Sequence, residues 1–166
     1  MSEFDREELV AASRGFDACV RRHDWEQAAS YFTPDARGGN VRLGILENRK
    51  GILKWMRNNP PDWGYALLWV AVDAPRLVNR WRHWLPGHHE DGSLYAFEGF
   101  TDYVYAGDGR FEWAFTTVDT ATFAAITEEH ARDTSRWLNT RINCPDPLIP
   151  TDRPDLRSQG FRLFNT

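Results

Sequence analysis

Apolar residues recur at helical spacing through the first third of the chain and at strand spacing through its middle. Between Phe4 and His23, Leu9, Ala12, Phe16 and Cys19 or Val20 fall three and four positions apart with Arg and Glu elsewhere, which predicts an amphipathic helix. Asp24, followed three residues later by Gln27, forms a capping box and opens a second, short helix. That helix places Trp25, Ala28, Ala29 and Phe32 on one side, and Pro34 is expected to end it. Gly38 to Gly44 reads as a loop or short strand carrying Val41 and Leu43. Asn48 can cap a third helix with Ile52, Trp55 and Met56 on its apolar face, and Asn58-Asn59-Pro60-Pro61 stops it.

From Tyr65 the period changes. Tyr65 to Asp73 is a nearly continuous apolar run, consistent with a strand covered on both faces. Ala74-Pro75 is a turn, Leu77 to Leu85 the next strand, and His88-His89-Glu90-Asp91-Gly92 a polar loop. Two aromatic and β-branched arms follow, around Tyr95 to Tyr105 and Phe111 to Val118. They are joined by Gly107-Asp108-Gly109, which supplies the positive φ angles of a tight hairpin. Asp119 reads as the end of the strand and Thr120 as the cap of a last helix, with Phe123, Ile126, His130 and Trp137 on its inner side. From Cys144 onward four prolines break regular structure, although apolar residues persist to Phe164. The expected division is therefore a domain over residues 1–143 and a Pro-rich tail over residues 144–166, packed on the domain or on a partner subunit. Three helices, a strand run, an antiparallel meander and a final helix argue an α+β fold: a curved antiparallel sheet with helices on its concave face.

Charge narrows the function. Twenty basic and 24 acidic residues give a net charge of −4, and the basic groups are scattered, so no footprint for nucleic acid is present. The longest apolar run, Tyr65 to Val72, is far too short to cross a membrane. Two cysteines, Cys19 and Cys144, form no disulfide framework or metal-type spacing, and a reducing cytoplasm is the expected compartment. Eight Trp, ten Phe and five Tyr are many for this length: they build a heavily aromatic core, or some of them line a pocket for an apolar or aromatic ligand. Adjacent histidines point apart on an extended loop, so His88-His89-Glu90-Asp91 is expected to be solvated, with no metal bound.

Several segments together carry a resemblance. They are Tyr31-Phe32-Thr33-Pro34-Asp35-Ala36 closing the second helix, Arg80-Trp81-Arg82 followed by Leu85-Pro86-Gly87, and Tyr105 to Arg110 leading into a last strand that ends at Asp119. Over roughly residues 5 to 135 the chain resembles the SnoaL-like branch of the nuclear transport factor two-like superfamily. The resemblance implies a cone-shaped barrel, in which N-terminal helices and a bent sheet enclose a cavity, and dimerisation through the sheet. That superfamily includes polyketide cyclases, ketosteroid isomerases, limonene epoxide hydrolases and dehydratases, as well as binding proteins without catalysis. Specific activities do not transfer. The ketosteroid isomerase aspartate falls on Asn40, which is no carboxylate base. The epoxide hydrolase Arg-x-Asp falls on Trp81-Arg82-His83, and its second aspartate on Thr116 or Thr117.

Strand alternation puts Leu77, Asn79, Trp81, His83 and Leu85 on the more apolar face of their strand, directed into the cone. His83 is then the expected base, because a neutral imidazole in an apolar cavity accepts a proton near pH 7. Tyr31 and Asp102 are the candidate donor and orienting group. Trp55, Trp69, Trp81, Trp113, Thr117 and Asn40 are the candidate substrate contacts. The expected function is a cofactor-independent acid–base enzyme, a lyase, dehydratase, isomerase or cyclase, acting on an aromatic or polycyclic small molecule. The alternative is a non-catalytic small-molecule-binding or dimerisation module.

Overall fold

The computed structural model describes residues 4–140, with side chains described as far as residue 134. The expected inner position of Trp137 and the Pro-rich tail lie outside the described residues. Helix α1 spans Arg6–Arg21, α2 Trp25–Ser30, α3 Asn48–Met56 and α4 Thr120–Thr140. The strands are β1 (Phe32–Asn40), β2 (Gly44–Glu47), β3 (Gly64–Asp73), β4 (Arg76–Trp84), β5 (Ala96–Gly107) and β6 (Arg110–Val118). They form one sheet in the order β2-β1-β6-β5-β4-β3. The architecture is the α+β arrangement expected from the sequence, with one parallel pair, β1 on β6, in an otherwise antiparallel sheet.

Local sequence explains most of the boundaries. Asp5 caps α1 by accepting from Glu7 N, and Asp24 caps α2 by accepting from Gln27 N. Helix α2 ends at Ser30, so Phe32 and Pro34 belong to β1 instead of to the helix and its stop. Pro34 has no amide hydrogen to donate, and β1 loses regular register between Phe32 and Arg37. Asn48 accepts from Gly51 N at 3.2 Å, serving the α3 terminus as expected although its own φ is +60°. Asp119, not Thr120, caps α4, accepting from Ala121 N at 2.9 Å and Thr122 N at 3.2 Å. Strand β3 is an edge strand on which only Leu68 is fully buried, so the apolar run does not mark a strand covered on both faces.

The core joins α1, α2 and α3 to the inner sheet face. Leu9, Ala12 and Phe16 meet Ala28, Phe32, Ile52, Met56, Leu77, Tyr103, Tyr105 and Phe111. The β5–β6 turn takes positive φ at Gly107, Asp108 and Gly109, as the hairpin reading requires. Two β-bulges then set which side chains reach the interior. On β3, Leu67 pairs with Trp81 but Trp69 pairs with Arg80, so two steps on β3 match one on β4. On β6, Trp113 pairs with Val104 but Phe111 pairs with Tyr105, again two steps against one. Each bulge reverses the alternation of its strand.

Candidate active site

The interior is not filled solid. A cavity of about 390 Å³ remains between the inner sheet face and the helices. Phe16 and Val20 of α1, Trp25 of α2 and Trp55 and Met56 of α3 form its helical side. Tyr65, Trp81, His83, Phe97, Thr101, Tyr103 and Thr116 form its floor on the sheet. Asn40, Arg42, Asn58, Asn59, Trp63 and Phe123 surround the remainder, with the Arg42 guanidinium 4.3 Å from the Phe123 ring centroid. The walls are chiefly apolar with a few placed polar groups, the composition of a small-molecule site.

His83 sits within a cage of aromatic rings. Ring centroids of Trp81 and Tyr65 lie 5.0 Å away, Phe97 stacks at 5.8 Å and Trp63 stands at 6.2 Å. Its Nδ1 is 3.1 Å from the carbonyl oxygen of Gly64. A carbonyl only accepts, so Nδ1 carries the proton and Nε2 keeps the lone pair. Burial lowers the pKa to about 4, opposed in part by the Gly64 hydrogen bond and reinforced slightly by His23. At neutral pH the ring is therefore an uncharged imidazole of fixed tautomer.

Neutral hydroxyls lie on the same floor. Burial raises the Tyr65 pKa well above the usual phenol range, and the nearby Asp17 carboxylate raises it further. Burial likewise holds Tyr103 in its phenol form. Behind Tyr65, Asp17 is itself buried on α1; burial raises its pKa, while Arg21, at 2.8 Å, and Tyr65 pull it back. Among the described residues, Asp17 Oδ1 is buried without a hydrogen-bond partner of its own. Trp81 Nε1 donates to Thr101 Oγ1 at 2.9 Å, and Thr101 shares a hydrogen bond of 2.9 Å with Thr116. Gly99 makes room for that indole: a Cβ there would stand 2.4 Å from Trp81 and 2.7 Å from the Thr117 carbonyl oxygen.

The structure brings His83, Trp55, Trp81 and Asn40 to one cavity. Asn40 is partly committed, since its Oδ1 accepts from the amides of Arg42 and Leu43, both at 2.9 Å. The other expected residues lie elsewhere. Tyr31 turns its hydroxyl toward α1, where a Cβ on Gly15 would meet it at 2.2 Å. Asp102 lies on the outer sheet face and pairs with Arg76 at 3.1 Å, so it cannot orient His83. Trp69 and Trp113 are turned outward by the two bulges, against Phe100 and Phe115 respectively. Thr117 shares the outer face with Trp113, and Thr116 takes the inner position. Tyr65, Tyr103, Trp63 and Asp17 were missed. Asp17 was detectable: it sits four residues after Ser13 and eight after Leu9, a carboxylate on the apolar stripe of a helix.

No protein-family model matches the sequence, and no curated protein matches it. Solved structures do match. A candidate polyketide cyclase from Xanthomonas campestris is 12% identical with a TM-score of 0.61, covering 72% of this chain and 96% of its own. An LEH-like epoxide hydrolase from M. tuberculosis is 12% identical with a TM-score of 0.60, covering 78% and 97%. A nuclear transport factor two-like protein of unknown function from Burkholderia pseudomallei is 15% identical with a TM-score of 0.60, covering 72% and 96%. Identities this low establish the fold alone. The chain shares the α+β cone fold of these structures, the fold that the resemblance in its sequence implies.

Proposed function

We propose that the protein is a cofactor-independent acid–base enzyme for an aromatic or polycyclic small molecule, of lyase, isomerase or cyclase type. The observation that carries the reading is the single hydrogen bond from His83 Nδ1 to the Gly64 carbonyl inside an aromatic cavity. It leaves Nε2 as the base. The imidazolium formed on proton transfer is disfavoured by burial until negative charge develops on the substrate beside it. Tyr103, held in the phenol form, is the hydrogen-bond donor for that developing oxyanion. Tyr65, whose hydroxyl is engaged by Asp17, contributes its ring to the cavity floor. A cyclic ketone fused to an aromatic ring fits this logic: its flat apolar body suits the indole and phenyl walls, and its carbonyl meets the Tyr103 hydroxyl.

Deuterium incorporation next to the carbonyl of a bicyclic aryl ketone such as tetralone, followed by proton NMR in D2O, tests the reading. The wild-type protein is expected to exchange that position at least about a hundredfold faster than H83A. Equal rates in the two proteins remove His83 from the chemistry.

A second reading, ligand binding without catalysis, has one observation in its favour. The Trp81–Thr101–Thr116 chain satisfies itself and offers few free donors to a substrate. Tight binding of the ketone without any exchange would select it. We also propose a homodimer through the outer sheet face, which carries the Trp69–Phe100 and Trp113–Phe115 ring pairs and where Phe100 is 42% exposed. Among the described residues no helix is long and apolar enough to cross a membrane, and a cytoplasmic location is part of the same proposal.

A further inference from the structure

Away from the cavity, the β4–β5 loop meets α4. There His89, Glu129 and Asp133 each offer a ligand atom, and the three atoms lie within 4.8 Å of one another. Glu129 and Asp133 are four residues apart and so share a helix face. His89 Nδ1 stands 3.6 Å from Glu129 Oε1. Donors bound to a tetrahedral zinc ion at ~2.0–2.1 Å lie about 3.3 Å from each other. The His89–Glu129 pair is already near that spacing, and an ion would draw the three donors together.

The surroundings hold these ligands in place. Tyr95 is buried beneath them and touches two of the three. Its ring centroid is 3.9 Å from that of His89, and its hydroxyl donates to Asp133 Oδ2 at 2.7 Å. Hydrogen bonds from the second layer of residues orient metal ligands in this way. The loop is fixed as well: His89 N donates to the Ser93 carbonyl at 2.8 Å, and Gly92 N donates to the His89 carbonyl at 2.9 Å. His130, next along α4, lies 2.9 Å through Nε2 from the Pro86 carbonyl oxygen, tying helix to loop beside the cluster.

We propose that His89, Glu129 and Asp133 form a binding site for a divalent transition-metal ion, with Zn²⁺ the ion their donors fit. One imidazole with two carboxylates suits zinc, whereas calcium and magnesium favour all-oxygen shells. The ion clamps the β4–β5 loop to α4, the helix whose Phe123 forms part of the cavity wall. Its role is structural, and it stands independently of the acid–base reading. Sequence spacing could not show it, because His89 and its two carboxylate partners are some forty residues apart.

Calorimetric titration of Zn²⁺ into chelator-treated full-length protein tests the site. One equivalent is expected to bind, raising the thermal midpoint. H89A and D133N should each weaken binding at least tenfold, Y95F by about tenfold, and H88A should leave it unchanged. Circular dichroism without metal confirms that each variant is folded. The absence of saturable Zn²⁺ binding overturns the proposal. So does Zn²⁺ affinity that is equal in wild type, H89A and D133N, or Ca²⁺ and Mg²⁺ binding as tightly as Zn²⁺.

Discussion

The two faces of strand β4 handle polarity in opposite ways. On the outer face, Arg80 and Arg82 share Glu98, with Nε–O distances of 3.0 and 2.9 Å, and Arg76 pairs with Asp102. On the inner face the polar groups are uncharged: Asn79 accepts from Ser13 at 3.2 Å, Trp81 donates to Thr101, and His83 donates to Gly64. A charge moved from water into an apolar cavity costs far more than a neutral donor or acceptor. The strand therefore keeps full charges where water reaches them and neutral hydrogen-bonding groups where it does not. A base that is neutral at rest and charged only in the reacting complex belongs to the second environment.

Breaking the comparison on the inner side should have the largest effects. H83A should lower proton-exchange rates by at least about two orders of magnitude while leaving the outer ion pairs intact. His83 also makes stability depend on pH. Its folded-state pKa is about 4, below the ordinary histidine value of 6.5, so the unfolded chain takes up the proton first. Stability is whole above about pH 6.5 and falls as the pH drops toward 4, by roughly 3 kcal/mol in all, and H83Q should flatten that slope in urea titrations. G99A drives a Cβ into Trp81 and the Thr117 backbone, and should destabilise the fold by about 1–3 kcal/mol, read from thermal or urea melts.

Outer-face changes should be milder. E98A removes the carboxylate shared by two half-buried arginines and should cost about 1–2 kcal/mol, between an exposed and a buried ion pair. D102N breaks only the Arg76 pair, which is exposed on the arginine side, and should change stability by less than about 0.5 kcal/mol with no change in exchange rate. An exchange defect in D102N as large as that of H83A would reverse the assignment of the two faces.

The fold was legible because its signals are local. The helical stripe of α1, the Asp24 cap and the Asp-Gly turn each act within a few residues. His83 and Trp81 were placed correctly because β4 alternates without interruption from Arg76 to Trp84. Trp69 and Trp113 were misplaced because nothing in the sequence marks a bulge, and one extra residue exchanges the two faces. Asp102 was misplaced for a simpler reason. It neighbours Thr101 and Tyr103, both inner residues, and parity alone sends it outward. Tyr65 was passed over because a continuous apolar run has no visible face, and only pairing with His83 gives it one.

The most direct measurement is a ¹⁵N NMR titration of the His83 imidazole in the ligand-free protein. The account predicts a protonated Nδ1 and a bare Nε2 at pH 7, with the ring titrating near pH 4. A proton on Nε2, or a midpoint at or above the ordinary histidine value, would contradict it and leave the cavity without its base.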